Sequence, residues 1–179
     1  MKIKTTALLM AFVLMLGLLT SCGKAADDDG GAPFGMKTIS TELVDFNLHV
    51  PSTWLEDIST GVITARYSDT DASNISVMKI AMGINEATLD DFWAGHKAGF
   101  EATFTDLEMI EEGTDMLMGG QAAKRYIYTA TMLDMKYRFM QIAAIKGGYV
   151  YLFTYTSTDD LYESHIDDVN SIVEHFSFK

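Results

Sequence analysis

Four histidines are the side chains of this sequence best suited to bind a transition metal, and their spacing decides whether they could do so together. A zinc site needs three or four ligands that converge on the ion. No two of the histidines fall at an HxxxH, HExxH or HxH spacing; they are His49, His96, His165 and His175. We therefore expect no zinc site and no other cofactor. We expect His96 and His165 to lie partly buried among the apolar positions of two helices.

A short run of oxygen ligands, residues 69–74, resembles the first half of a calcium loop. The EF-hand pattern requires glycine at its sixth position and glutamate at its twelfth. This chain has Asn74 and Ile80 at those positions. The pattern therefore favours a plain turn that contains Asp69 and Asp71.

Two thioethers, those of Met116 and Met118, would point the same way on a strand. Soft sulfur ligands suit Cu(I), and four more methionines could lie nearby: Met109, Met132, Met135 and Met140. Methionine also fills irregular gaps in apolar cores. We favour this second interpretation, so no metal ligand is assigned.

Residues for covalent catalysis show no recognisable arrangement. The sequence has no Gly-x-Ser-x-Gly nucleophile motif, and its single cysteine, Cys22, follows an apolar N-terminal run. The acidic pairs 111–112 and 159–160 are adjacent in sequence, so their side chains diverge and do not form a glycosidase dyad. We therefore predict that the protein is not an enzyme and assign no catalytic residue.

Aromatic side chains are the last group that could form a site. One predicted strand face carries Tyr149, Tyr151, Phe153 and Tyr155, and its neighbours carry Tyr126, Tyr128, Tyr137 and Phe139. Such a surface could form a pocket or a docking site, because aromatic residues are enriched at interfaces. Ordinary packing between a sheet and a helix explains the same pattern and is the interpretation that we favour.

The N-terminus has the layout of a secretory signal peptide. Lys2 and Lys4 precede an apolar run, residues 7–19, which is shorter than the roughly 20 apolar residues of a membrane-spanning helix. The following Leu-Thr-Ser-Cys at residues 19–22 resembles the lipobox of bacterial lipoproteins. The resemblance implies cleavage before Cys22 and diacylglycerol on its sulfur. A free thiol or an intermolecular disulfide is the alternative, and the position of Cys22 favours lipidation.

The rest of the chain is acidic. Cleavage after residue 21 would leave 158 residues and would change the formal charge from −12 to −14, because Lys2 and Lys4 are lost. This charge would be repelled by nucleic acid and by anionic lipid headgroups. We therefore expect no nucleic-acid partner and a membrane attachment through the lipid alone. Residues 22–36, rich in Gly and Asp, would be a flexible linker to a single domain at 37–179.

The hydrophobic pattern of that domain predicts strands, a helix, more strands and a last helix. Thr88 with Asp91 forms a capping box, and Gly147-Gly148 is a two-residue hairpin turn. The predicted strands are 43–50, 61–67, 75–82, 107–111 (extended by 116–118), 122–132, 137–146 and 149–156, and the predicted helices are 88–104 and 159–176. The apolar stripe of the last helix comprises Leu161, His165, Val169, Ile172, Val173 and Phe176. Strands that arrive as hairpins imply an antiparallel sheet with helices packed on it, the α+β class.

Two segments of this domain resemble a known family. Residues 46–54, an apolar strand followed by Pro-x-x-Trp, are similar to the opening of PsbP-like and DcrB-like domains, and residues 172–178 resemble their last helix with its short final strand. The resemblance implies an α/β/α sandwich, in which an antiparallel sheet lies between helical layers. It implies no common catalytic set.

These observations together predict a membrane-anchored extracytoplasmic lipoprotein. We expect it to act as a non-catalytic binding or assembly module for an envelope protein. The alternative is a small-ligand carrier with an aromatic pocket between sheet and helix, and a hydrolase with an unrecognised site comes third. An enclosed cavity of about 300 Å³ or more lined by tyrosines would favour the carrier. A packed core with an exposed apolar patch would favour the partner surface.

Overall fold

A seven-stranded antiparallel sheet is the central element of the described residues. The computed structural model describes residues 31–57, 62–83, 88–104 and 106–179. The strands of this sheet are β4 (Leu55–Asp57), β5 (Ile63–Arg66), β6 (Asn74–Ala81), β7 (Glu108–Met118), β8 (Gln121–Met132), β9 (Met135–Lys146) and β10 (Tyr149–Thr158). Their order in the sheet is β4-β5-β6-β10-β9-β8-β7. The predicted antiparallel α+β class is confirmed.

Local turn signals position the longest strands. Gly147 and Gly148 both have positive φ, at 60° and 81°, and join β9 to β10 with Lys146 opposite Tyr149. The predicted hairpin is therefore confirmed. The predicted strands 107–111 and 116–118 are parts of one strand, β7, whose pairing with β8 shifts register twice, between Met109 and Glu111 and between Glu112 and Thr114. These irregularities break the sequence pattern without ending the strand.

Helix α1 (Leu89–Thr103) covers one face of the sheet. Its capping box is present: the Thr88 side chain accepts a hydrogen bond from the backbone N–H of Asp91, and the Asp91 carboxylate accepts one from the backbone N–H of Thr88. Phe92 and Trp93 are buried against the sheet. They pack with Tyr126, Tyr128, Phe139, Val150 and Leu152. The predicted helix 88–104 is confirmed to within one residue at each end.

Helix α2 (Ile166–Glu174) covers the opposite face, after a 3₁₀ helix at Tyr162–His165. The prediction of one helix over 159–176 is therefore wrong in length. The tighter 3₁₀ turn rotates the chain by a different angle per residue than an α-helix does. As a result Leu161 is 37% exposed, while the rest of the predicted stripe is buried: His165, Val169, Ile172, Val173 and Phe176.

The predicted strand 43–50 is divided between two small sheets. β2 (Phe46–Asn47) pairs with β11 (Ser177–Phe178), and β3 (His49–Pro51) pairs with β1 (Met36–Thr38). The apolar alternation itself holds, because Phe46, Leu48 and Val50 are all buried. The backbone changes partner at Leu48, whose N–H donates to the Ser40 hydroxyl at 3.1 Å.

The core lies in two layers, one on each face of the sheet. On strand β10 the side chains alternate between them: Tyr151, Phe153 and Tyr155 point toward α2, and Val150 and Leu152 point toward α1. This is the predicted arrangement of a sheet between helical layers. In the described ranges, no helix has the length and apolar character needed to cross a membrane.

Candidate functional site

Cys22, the predicted site of lipid attachment, lies outside the described residues, as do the predicted signal peptide at residues 1–21 and most of the predicted linker. Met36, which the sequence assigns to the end of that linker, is 9% exposed and pairs with Pro51 in β1. Lipidation of Cys22 therefore stays a prediction.

The four histidines lie apart in the fold, each with its own neighbours. They make these contacts: His49 to Thr38 at 3.0 Å, His96 to the ring of Phe92, His165 to Asp71 at 2.7 Å, and His175 to the carbonyl of Ser171 at 2.8 Å. Among the described residues, no three His, Cys, Asp or Glu side chains come together as a metal site would require.

Residues 69–73 lie in the connection between β5 and β6, as predicted, and Asn74, which the sequence assigned to the same turn, is the first residue of β6. Asp69 accepts a hydrogen bond from Arg66 at 2.7 Å. Asp71 accepts one from the backbone N–H of Ser73 at 2.9 Å and lies 2.7 Å from Nε2 of His165. Each carboxylate is thus held by its neighbours in the fold.

The pair of Asp71 and His165 was missed by the sequence analysis. His165 is buried and its ring stacks on Tyr67, with centroids 3.8 Å apart. Burial favours a higher pKa for Asp71, but hydrogen bonds from Ser73 and the contact with His165 outweigh it, so the pKa lies below its usual value. The pair ties the β5–β6 turn to the 3₁₀ helix. The two residues are 94 positions apart, and no local pattern marks such a contact.

The methionines that could have formed a thioether site divide between the two faces of the sheet. Met116 and Met118 share a face, as predicted, and pack in the core layer that also contains Met140. Met109 and Met132 pack in the opposite layer, and Met135 is 48% exposed. This arrangement supports the favoured interpretation of Met116 and Met118 as core residues.

The aromatic strand residues also divide between the two layers, so they do not line one pocket. Tyr149, Tyr151, Phe153 and Tyr155 share a face as predicted, but Tyr149 lies at its solvent-exposed end. Between the sheet and α1 the structure has an open cleft of about 430 Å³. A single tyrosine lines this cleft, and the cleft is open to solvent. It is therefore not the enclosed, tyrosine-lined cavity that would indicate a carrier.

We call this space the α1 cleft. Helix α1 contributes one wall, and strands β7 and β8 contribute the other. The helix supplies Asp90, Trp93, Ala94, Lys97 and Glu101, and the strands supply Glu112, Gly113, Lys124 and Tyr126. Apart from Trp93, Ala94 and Gly113, these lining residues are carboxylates, lysines and one tyrosine, so the cleft presents charges of both signs around an aromatic floor.

The floor of the α1 cleft is an aromatic pair. The rings of Trp93 and Tyr126 stack with centroids 3.7 Å apart and planes 11° apart, and both residues are buried. Among the described residues, neither Nε1 of Trp93 nor the hydroxyl of Tyr126 has a hydrogen-bond partner. A buried polar group without a partner costs about 1–3 kcal/mol. Both atoms lie beneath the accessible surface of the cleft, so the floor presents the aromatic rings rather than these polar groups.

Two ion pairs of opposite polarity cross the α1 cleft. Lys97 of the helix lies 2.7 Å from Glu112 of β7, and Lys124 of β8 lies 2.8 Å from Asp90 of the helix. Each pair raises the pKa of its lysine, because the carboxylate accepts a hydrogen bond from the ammonium group. Exposed ion pairs of this kind contribute little to stability. A ligand could therefore displace them at little cost.

The phenol of Tyr126 stays protonated at neutral pH. Burial raises its pKa to about 12, and the carboxylates of Asp90, Glu112 and Asp115 act in the same direction. A neutral phenol both donates and accepts hydrogen bonds. Tyr126 is therefore unsuited to act as a base.

Gly113 leaves room above this floor. It lies at a register shift of β7 with φ of +79°, and a Cβ on it would lie 3.6 Å from the Tyr126 ring and 3.8 Å from the Lys124 side chain. The sequence predicted that Tyr126 lies on a strand face. It gave no signal for the contact of Tyr126 with Trp93 or for Gly113, which fell between two predicted strands.

Comparison with known proteins shows the fold. Neither a family model nor a curated protein sequence matches the chain. The solution structure of cyanobacterial PsbP (CyanoP) from Synechocystis sp. PCC 6803 is 17% identical, with a TM-score of 0.60 over 90% of this chain and 99% of that one.

Two further solved structures are similar. LpqN, involved in cell envelope biogenesis of Mycobacterium tuberculosis, is 16% identical, with a TM-score of 0.50 over 75% of this chain and 83% of that one. The Saccharomyces cerevisiae Ran-binding protein Mog1p is 10% identical, with a TM-score of 0.58 over 80% and 95% of the two chains. The chain thus has the PsbP-like α+β fold that the resemblance predicted.

Proposed function

We propose that this protein is a lipid-anchored, extracytoplasmic binding module that contacts a protein of the bacterial envelope and catalyses no reaction. The leader with Cys22 at its end supports the anchor. The fold is shared with LpqN, named for cell envelope biogenesis, and with Mog1p, named for binding Ran. These likenesses are distant, and the α1 cleft is the feature of this chain that supports a binding role.

The observation that carries the proposal is an open cleft of about 430 Å³ whose floor is the stacked pair of Trp93 and Tyr126. Tryptophan and tyrosine are enriched at protein–protein interfaces, where they often carry much of the binding energy. The rims present ammonium and carboxylate groups that can pair with the side chains of a peptide segment. An exposed segment of a partner protein therefore suits the α1 cleft.

A small-ligand carrier is the second candidate. The cleft volume of about 430 Å³ falls within the usual range of small-molecule sites. The cleft is open to solvent, however, and a carrier protects its ligand by enclosing it. We therefore place the peptide segment first.

The test places a photo-crosslinking amino acid on α1 in the native envelope. Ala94 lines the cleft, and Ala98, another exposed alanine of α1, does not, so position 98 is the matched control. We expect a protein adduct from position 94 that is absent from position 98 and that maps to one segment of one partner. Equal adducts from both positions, or an adduct that contains only a small molecule, would contradict the proposal.

The anchor needs a separate test. Cys22→Ala should abolish incorporation of labelled palmitate and should release the protein from the membrane or stall its processing. Ser21→Ala keeps a small residue before the cysteine and is the control that should still be labelled. Continued labelling and membrane retention of Cys22→Ala would show that the anchor lies elsewhere.

A further inference from the structure

A second exposed surface lies at one end of the sheet, and we call it the hairpin-end patch. Its apolar residues are Leu133, Met135 and Leu161, which are 93%, 48% and 37% exposed. They lie at the β8–β9 turn and beside the 3₁₀ helix. Two depressions of about 480 and 220 Å³ adjoin here and share Met135 and Thr158. The patch shares no lining residue with the α1 cleft.

The turn that presents this patch has an unfavourable sequence for its geometry. Leu133 and Asp134 have φ of +50° and +65°. Two-residue turns of this kind favour asparagine and glycine, and a bulky residue with positive φ is a genuine outlier. The Leu133 side chain is almost fully exposed, so it contributes little to the core. Leu133 therefore strains the backbone and exposes apolar surface without packing in the core.

Strain of this kind is retained at sites of recognition more often than elsewhere. The other two residues support that explanation. Met135 lies at both depressions, and Leu161 lines the smaller one. Leu161 belongs to the stripe that the sequence assigned to the core. Met135 and Leu161, from separate parts of the chain, thus line one depression, and Leu133 is exposed in the same turn as Met135.

The charged residues around the patch indicate which kind of surface could bind there. Its rim carries Asp134, Asp159 and Asp160, and the single lysine there, Lys136, lies 3.8 Å from Glu108. Arg138 forms an ion pair with Asp159, with a nitrogen–oxygen distance of 2.6 Å. An acidic rim repels anionic lipid headgroups and a second copy of this chain, whose formal charge is −12. It attracts a basic surface.

We propose that the hairpin-end patch docks a partner protein that presents an apolar recess flanked by lysine or arginine, with Leu133 inserted into that recess. This surface goes beyond the function proposed for the α1 cleft, because it adds a second contact with its own chemistry. The strained turn holds Leu133 outward before binding, so little conformational freedom is lost when the partner binds.

The experiment places a photo-crosslinking amino acid at Thr70 of the full-length, membrane-bound chain. Thr70 is exposed and lines the smaller depression. We expect a protein adduct whose cross-linked segment combines apolar residues with lysine or arginine. Its yield should fall when salt is raised from about 0.1 M to about 1 M. An adduct with lipid, with a second copy of this chain or with an acidic segment would overturn the proposal, as would the absence of a protein adduct.

Leu133→Gly separates recognition from structure. Glycine adopts positive φ without strain, so the melting temperature should stay the same or rise. The adduct from Thr70 should nevertheless fall about tenfold or more, as expected for a central contact. Leu43→Gly removes an equally exposed leucine elsewhere, 95% exposed, and should leave the adduct unchanged. An unchanged adduct in Leu133→Gly, or a lower melting temperature, would overturn the role of Leu133. The cross-link from position 94 tests the α1 cleft, and the cross-link from position 70 tests the hairpin-end patch. The two results are measured separately, so either proposal can be rejected without the other.

Discussion

The indole of Trp93 lies face to face with the phenol ring of Tyr126, at a centroid distance of 3.7 Å and an interplanar angle of 11°. This contact fastens α1 to β8 and at the same time forms the floor of the α1 cleft. Stacked aromatic pairs contribute about 0.5–1.5 kcal/mol beyond their burial. The pair therefore stabilises the fold through its rings, while its two polar atoms have no hydrogen-bond partner within the part of the chain that the structure describes.

The first prediction concerns the hydroxyl of Tyr126. Tyr126→Phe keeps the stacked ring and removes a buried group that has no partner among the described residues, so the free energy of unfolding should stay the same or rise by about 1 kcal/mol. The control is Tyr155→Phe, which loses a hydrogen bond of 3.0 Å to the carbonyl of Tyr162 and should be less stable by about 1 kcal/mol. Urea unfolding measures both. Equal losses in the two variants would mean that the Tyr126 hydroxyl is paired in the folded state.

Local signals predicted the elements of this fold well. The capping box of Thr88 and Asp91 and the glycine pair at 147–148 depend on residues a few positions apart, so the sequence contains the whole interaction. The alternation along β10 is similarly local, because successive side chains of a strand point to opposite faces. These features predict the start of a helix, a hairpin and the two faces of a strand, whereas the sheet between helical layers was implied by the family resemblance.

The sites depend on contacts that no local pattern contains. The exposure of Leu161 follows from a 3₁₀ turn that interrupts the helical period, and Leu133 owes its prominence to the backbone angles of its turn. The α1 cleft arises where Trp93 meets Tyr126 across a gap of 33 positions in the chain. The sequence shows that each of these residues is apolar or aromatic. It does not show that Trp93 contacts Tyr126, or that Leu133 and Leu161 face solvent.

The second prediction concerns the β7–β8 turn. Gly119 has φ of +56°, and a Cβ there would lie 2.8 Å from the Phe178 ring and 3.1 Å from Phe176. Gly120 also has positive φ, at +76°, but a Cβ there would meet nothing within 4 Å. Both Gly→Ala variants should lose about 1–2 kcal/mol to backbone strain. Gly119→Ala should lose about 1–3 kcal/mol more through overpacking, as measured by urea unfolding. Equal losses would show that the two phenylalanine rings move aside freely.

The third prediction concerns the apolar stripe at the C-terminus. Phe176 is 3% exposed and stacks on Phe46 with centroids 5.5 Å apart. Phe176→Ala should lower the free energy of unfolding by about 3–5 kcal/mol, since it removes a large buried ring. Phe34→Ala, at a fully exposed phenylalanine, is the control and should change stability by less than about 0.5 kcal/mol. A thermal melt of Phe176→Ala that matches the wild type would place this face in solvent.

The last prediction concerns pH. Arg125 donates two hydrogen bonds to Glu111, at 2.7 and 3.0 Å, and this contact lowers the pKa of Glu111 below its usual value. A carboxyl with a lower pKa in the folded state stabilises the fold fully above the unfolded pKa, about 4.3, and loses this contribution as pH falls through the folded pKa. Glu111→Gln should therefore be less stable than the wild type at pH 7, and the difference should shrink steadily below about pH 4.

Glu108→Gln, on the same strand with Lys136 at 3.8 Å, should show a smaller difference at pH 7. Urea unfolding from pH 7 to about pH 3 tests this, and a difference for Glu111→Gln that stays constant over the range would show that the ion pair does not carry the effect.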